Sequence, residues 1–213
     1  MKVVAINGSP RKSGNTELLL KAVLEPLAES GWETELIQIG GKTIRGCCGC
    51  HKCWENKDKR CIFGGTDIFN DTFAKALEAD AIVLGSPVYF TDVTTEMKAF
   101  IDRAGFVALG NDCALAGKVG AAAVTLRRGG STHAFDTMNH LFFMSQMVVP
   151  GSIYWNMGFG LRPGDVVQDE EAFRNMKHLG EAVNWLGKMI KAGNVPYPVV
   201  KEGELPPEPA QNE

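Results

Sequence analysis

At 213 residues, 45% of them apolar or aromatic and 22% charged, the chain has the length and composition of one globular domain with a buried core. A formal net charge of −3 argues against a nucleic-acid partner, which calls for a basic face. No apolar run approaches the roughly 20 residues needed to span a bilayer. The apolar stretch at the N-terminus is too short for a secretory signal, so a cytoplasmic location and no membrane partner are expected.

Val3–Ile6 is a short apolar run that ends at Asn7-Gly8, the pattern of a buried parallel strand. Asn15-Thr16 opens a helix to about Ser30, with Pro26 expected to kink it or mark a tight last stretch and Gly31 to stop it. Glu33–Ile39 alternates apolar and polar residues as a less central strand does. A stretch from about 40 to 65 has little periodicity, exceeds a normal strand-to-helix connection, and is read as a cysteine-rich insertion after strand 2. Thr66 or Asp67 can cap the next helix, which buries Ile68, Phe73, Ala76 and Leu77. Ala81–Gly85 is a buried strand that leads into Ser86–Phe90. Thr94 or Thr95 then caps a helix carrying Met97, Phe100, Ile101 and Ala104. Val119–Leu126 is a strand ending at Arg127-Arg128-Gly129-Gly130, and a helix runs from about Ser131 to Met147. Ser152–Trp155 is the last strand candidate, and Glu170–Ala192 is an amphipathic helix. The expected organisation is a 1–192 domain followed by an extended, Pro-rich 193–213 tail. Strand and helix alternate about five times, so the expected fold is α/β: a doubly wound, five-stranded parallel sheet. In such sheets ligands bind beyond the C-terminal strand ends, where the strand order reverses.

The first of those ends carries Gly8-Ser9-Pro10-Arg11-Lys12-Ser13-Gly14-Asn15-Thr16. Glycines permit tight turns, the hydroxyls and amide donate, and the helix start adds free N–H groups and a positive dipole end. A phosphate monoester suits this loop. No Lys follows Gly14 and no G-x-G-x-x-G is present, so neither the triphosphatase loop nor the dinucleotide fingerprint applies. The alternative is a polar turn with an ordinary cap. Pro87 stiffens the second loop, Tyr89 and Phe90 offer flat apolar surface, and Gly129 and Gly130 allow a ring edge close to the backbone. An arginine there could meet a reduced flavin or a nucleotide phosphate, or simply be solvated. Asp102-Arg103 could be a simple surface pair or a pair with a structural role.

G-S-P-R-x-x-G-N-T, then S-P-V-Y-F, then M-K-A-F-I-D-R, in that order, resemble the NADPH-dependent FMN reductase-like branch of the flavodoxin superfamily. The resemblance implies a flavodoxin-like fold and FMN as cofactor. It gives Ser9, Arg11, Ser13, Asn15 and Thr16 the FMN phosphate, and Pro87, Val88, Tyr89 and Phe90 the ribityl chain and isoalloxazine. NAD(P)H is then the candidate co-substrate.

Five of six cysteines fall in one segment, and Cys47, Cys50, Cys53 and Cys61 form C-x2-C-x2-C-x7-C. Compact runs of this kind suit a [4Fe-4S] cluster, whereas zinc sites more often use two separated pairs. Zinc with His51, redox thiols, or a cysteine-rich loop without ligand are the alternatives, and Cys48 is an extra thiol in the run. Trp54 could shield a cluster or anchor the loop. The spacing resembles the iron–sulfur flavoprotein group of the same family, which implies a cluster near FMN.

Three functions remain open on these residues. One is an FMN oxidoreductase that passes electrons between a [4Fe-4S] cluster and the flavin, with no side chain needed as acid or base. The second is an NAD(P)H-dependent FMN or quinone reductase without a cluster. The third is a non-enzymatic flavin electron carrier. The apolar segments 141–144 and 154–159 suggest a homodimer or homotetramer, and the redox partner is a small molecule or a small electron carrier.

Overall fold

The computed structural model describes residues 1–193 and 195–200. Strands β1 (Lys2–Asn7), β2 (Glu33–Gln38), β3 (Ala81–Pro87), β4 (Val119–Leu126) and β5 (Met157–Phe159) form one parallel sheet in the order β2-β1-β3-β4-β5. Helices α1 (Asn15–Glu29), α3 (Phe69–Glu78), α4 (Thr95–Gly110), α5 (Ser131–Met144) and α6 (Glu170–Ala192) flank it. A short α2 (Lys52–Asn56) lies in the long connection after β2, and a 3-10 turn, Asp165–Gln168, precedes α6. The expected five-stranded parallel α/β architecture is the observed one.

The apolar runs are continuous because both faces of the central strands are covered. Val3 and Ala5 point to a layer with Val23 and Leu27 of α1 and Leu179 and Val183 of α6. Val4 and Ile6, one residue out of phase, point to Phe73 of α3, Phe100 of α4 and Phe142 of α5. The chain steps from β1 outward to β2, then back past β1 to β3, so the order reverses between β1 and β3. The loops after β1, β3 and β4 all leave the same edge, and a crevice opens there.

Local differences from the sequence reading have tertiary causes. The last strand is Met157–Phe159, not Ser152–Trp155. The amides of Ile153 and Tyr154 donate to Asn175 Oδ1 on α6, and Ser152 Oγ donates to the Tyr154 carbonyl, so the middle of this stretch is tied to α6 and to itself rather than to a ladder. Helix α5 stops at Met144, because Gln146 turns left-handed (φ 57°) and Met147 N–H returns to the Phe142 carbonyl. Helix α1 runs through Pro26 to Glu29. Thr94 caps α4 by accepting from Met97 N–H at 3.3 Å, as expected. The half-buried Lys118 ammonium donates to the carbonyls of Leu77 and Ala79 at the end of α3, at 2.8 and 2.6 Å. Of the Pro-rich tail, Val200 exchanges two hydrogen bonds with the Gln146 side chain, and Tyr197 packs on Gly117. The expected extended segment 201–213 lies outside the described residues.

Candidate functional site

The loop after β1 is held from three sides. Ser9 N–H donates to Asn7 Oδ1 at 2.9 Å, Gln38 Nε2 donates to the Ser9 carbonyl at 2.8 Å, and Thr94 Oγ1 donates to the Gly8 carbonyl at 2.8 Å. Gly40, just past β2, presses its backbone on this loop so closely that a Cβ would lie 2.2 Å from the Ser9 carbonyl carbon. Ser13 turns left-handed (φ 52°), and α1 begins at Asn15 with no side chain capping its N-terminus. The first amides of a helix have no intrahelical acceptor, so this end is free to take an anion. Glu17, the one acidic group in the first turn, is turned aside by Ser13 N–H and Lys21. Those contacts outweigh its partial burial and hold its carboxyl below the usual carboxylate range, with the Lys21 hydrogen bond the largest influence.

The second loop is a tight reversal. Tyr89 and Asp92 exchange backbone hydrogen bonds of 2.8 and 3.2 Å, and Phe90 and Thr91 between them both have positive φ, 48° and 74°. That is the conformation of a type I′ turn, which Asn and Gly normally fill. Phe90 stands fully exposed at its tip. The third loop meets the second: Gly130 (φ 89°) starts α5 so close that a Cβ would lie 2.9 Å from Thr91 Cα and from Val88. His133 reaches Asp92 across the same junction at 3.4 Å.

These loops border an open cleft. Ser9, Arg11, Asn15 and Thr16 line it from the first loop, and Pro87, Val88 and Tyr89 from the second. Ser13, Phe90, Gly129 and Gly130 stand at its surroundings rather than in its wall. Thr125, Arg127 and Leu161 also line it, and the sequence reading passed over Thr125 and Leu161. Thr125 could have been found as the one polar residue in a buried strand, and its hydroxyl meets that of Thr16 at 2.7 Å. The Asn15 side chain is engaged elsewhere: its amide donates to the Arg162 carbonyl at 3.0 Å and its oxygen accepts from Gly164 N–H at 2.8 Å. It ties the first loop to the segment after β5. An uncapped helix start, hydroxyls, an arginine and an adjacent apolar slot fit a flavin phosphate ester and its ring.

The connection from β2 to α3 is anchored on α4. Trp54 lies against Gly110, donates Nε1–H to the Phe106 carbonyl at 2.8 Å and packs at a tilt on the Phe106 ring, so it is the anchor of the loop. His51 packs edge-on against both rings. Asn111 donates to the Cys53 carbonyl at 3.1 Å and accepts from Lys59 N–H, and Asn70 bonds both backbone groups of Cys61 at 2.9 Å. No spacing in the sequence marks these two asparagines. With the segment so held, Cys47, Cys48, Cys50, Cys53 and Cys61 all line one cleft, walled also by Phe63, Phe106 and Val107. Burial pushes the Cys53 thiol up, and the neighbouring Cys61, Cys47 and Cys50 push the same way. Gly49 N–H points to Cys47 Sγ at 3.5 Å. Among the described residues no three His, Cys, Asp or Glu side chains converge to hold one metal ion. A four-iron cluster spreads its thiolate ligands over separate corners, so four cysteines around a half-apolar cleft suit it better than a tetrahedral single-ion site.

Asp102 and Arg103 are not a surface pair. Asp102 points out to Lys98, while Arg103 is 1% exposed and its Nη1 meets the buried Asp67 carboxylate at 2.5 Å. Helical spacing with Phe100 and Val107 was the available sign that Arg103 lies on the inner face. Burial alone would raise the Asp67 carboxyl. Hydrogen bonds from Arg103 and from the N–H groups of Arg45 and Phe69 outweigh it and hold the carboxyl below the usual range. Asp67 thus receives the first amide of α3 and the arginine together.

The chain has relatives among known proteins. Residues 1–161 match the NADPH-dependent FMN reductase family. An iron–sulfur flavoprotein of Methanocaldococcus jannaschii is 36% identical over 198 residues, covering 90% of this chain and 100% of the relative. Another, of Archaeoglobus fulgidus, is 34% identical, covering 86% and 79%. The solved structure of a flavodoxin from the domain Archaea superposes with a TM-score of 0.56 at 18% identity, covering 90% of this chain and 99% of that one, and shares the fold. The chain belongs to the NADPH-dependent FMN reductase family, in its iron–sulfur flavoprotein branch. It is a flavin-dependent oxidoreductase. Among the described residues no helix is long and apolar enough to cross a membrane.

Proposed function

We propose that this chain holds FMN in the cleft at the C-terminal sheet edge and a [4Fe-4S] cluster on Cys47, Cys50, Cys53 and Cys61, and passes electrons between them. The observation that carries this reading is the convergence of all four cysteines of the compact run on one cleft. The relatives' names agree with it. FMN supplies exchange of an electron pair or of single electrons, and a cluster supplies single-electron exchange.

The chain's own residues bind and orient. The first amides of α1, with Ser9, Arg11 and Thr16, take the flavin phosphate, while Ser13 turns the loop beside them and the Asn15 side chain fixes the neighbouring segment. Pro87 to Phe90 and Gly129-Gly130 border the ring. Helix α4 serves both clefts: Thr94 at its start bonds the first loop, and Arg103, Phe106 and Val107 wall the cysteines. Nine residues of helix separate Thr94 from Arg103, about 14 Å along its axis.

NAD(P)H is the proposed electron donor, with Arg127 at the cleft wall available to its charge, and a small electron carrier or small molecule is the proposed acceptor. Exposed Phe143, Met144, Tyr154 and Trp155 support a homodimer or homotetramer. Six free cysteines suit the reducing cytoplasm.

The paired change Cys50→Ser, Cys53→Ser tests the reading. The expected result is loss of iron, retention of FMN, and loss of transfer from NAD(P)H to a one-electron acceptor. Transfer at the parent rate would take the cysteines off the electron path and leave a cluster-free FMN or quinone reductase.

A further inference from the structure

Arg103 has more donors than partners. Its Nη1 serves Asp67 and, at 3.3 Å, the Arg45 carbonyl, and the Phe69 ring covers the guanidinium 4.1 Å from its centroid. Nε and Nη2 are buried and have no acceptor among the described residues. Buried N–H groups are nearly always paired, and a buried cation with two idle donors calls for an acceptor absent from the protein itself. Arg103 is also part of the wall of the cleft that the four cysteines line. Sulfur atoms carrying negative charge are the acceptors that such an edge fits.

Resting on the cluster reading above, we propose that Arg103 donates its Nε–H and Nη2–H to sulfurs of the [4Fe-4S] site and raises the midpoint potential there. Reduction adds one electron and one negative charge at the cleft, and hydrogen bonds to the sulfurs favour the more negative state. The guanidinium keeps its proton throughout, so no proton moves with that electron. Asp67 neutralises the charge of Arg103 at longer range, so the direct hydrogen bonds are what set the effect. Arg103 is a positioning and tuning residue rather than a catalytic one.

The test is an anaerobic redox titration of the cluster-loaded full chain, followed by electron paramagnetic resonance, with iron counted in every sample. The decisive variant is Arg103→Met together with Asp67→Asn, which removes the buried pair without leaving a lone charge. The expected shift is about tenfold less reduced cluster at a fixed potential, about 59 mV lower for one electron. The flavin midpoint, read in the same titration, is expected to stay in place. Arg103→Lys, which keeps the charge but loses the fan of donors, is expected to shift in the same direction by less, and it is the variant of record if the pair fails to load iron. A wild-type cluster midpoint in the iron-loaded double variant, or in Arg103→Lys where that variant stands in, overturns the inference and leaves the cluster reading intact. Parent protein that takes up no iron overturns both.

Discussion

Gly40→Ala is the sharpest perturbation of the flavin cleft, because Gly40 never touches it. A methyl group at this position would lie 2.2 Å from the Ser9 carbonyl carbon, 2.3 Å from its oxygen and 2.4 Å from the Gly8 oxygen. Ordinary contact starts near 3.4 Å, so the two backbones must part by about 1.2 Å. Neither partner is a flexible side-chain end. Ser9 is also fixed by Gln38 and Asn7, so the displacement passes into the loop proposed to receive the phosphate. Overpacking of this kind costs about 1–3 kcal/mol. If the strain is relieved by the loop retreating from its anion-binding geometry, FMN affinity falls by roughly 5- to 150-fold, at 1.4 kcal/mol per tenfold. Titration of flavin-free protein with FMN, read by quenching of flavin fluorescence, measures this, with the far-UV spectrum as the control for folding. Unchanged FMN affinity in a folded Gly40→Ala protein would refute the claim that the loop after β1 holds the phosphate in the observed conformation.

Other outcomes follow from the same geometry. Asp67→Asn leaves Arg103 without its counter-charge and is expected to cost about 3–5 kcal/mol in urea denaturation. The Asp67 carboxyl titrates lower in the folded protein than the roughly 3.9 of an unfolded aspartate, so its contribution is complete above that pH and is lost as pH falls through the native value. The variant's stability should therefore depend less on pH below about 4 than the parent's. Thr16→Val strands the buried Thr125 hydroxyl and should cost about 1–3 kcal/mol in the flavin-free protein, whereas Thr16→Val with Thr125→Val should be nearly neutral. An additive double variant would show that the two hydroxyls do not pair. Thr91→Gly removes a β-branched residue from a left-handed turn position and should stabilise by about 1 kcal/mol, seen as a higher melting temperature. A lower one would mean that the turn is not strained.

The sheet was readable because each central strand is buried on both faces, and that requires unbroken apolar runs such as Val3–Ile6 and Val119–Leu126. The loop after β1 stood out as a candidate anion site because its hydroxyl and amide donors are consecutive in the chain. What escaped is set by side chains far away in sequence. Ile153 and Tyr154 have a strand-like composition, but Asn175 on α6 takes their amides. Helix α2 has five residues and no apolar period, and it exists because Trp54 seats on α4. Asp102 and Arg103 look alike as charged neighbours, yet one residue of helix turns the side chain by about 100° and sends one into solvent and the other under the cysteines. The cysteine spacing picks out four thiols that share one cleft. Asn70 and Asn111, which hold that segment, and Arg103, which walls the cleft, are single polar side chains whose importance depends on burial.

Iron and flavin counted together in anaerobically purified protein, with its visible spectrum, test the two-centre account most directly. The expected result is about four iron atoms for each FMN, with a broad absorbance beneath the flavin bands that bleaches on reduction. Bound FMN with no iron and a plain flavin spectrum would contradict it.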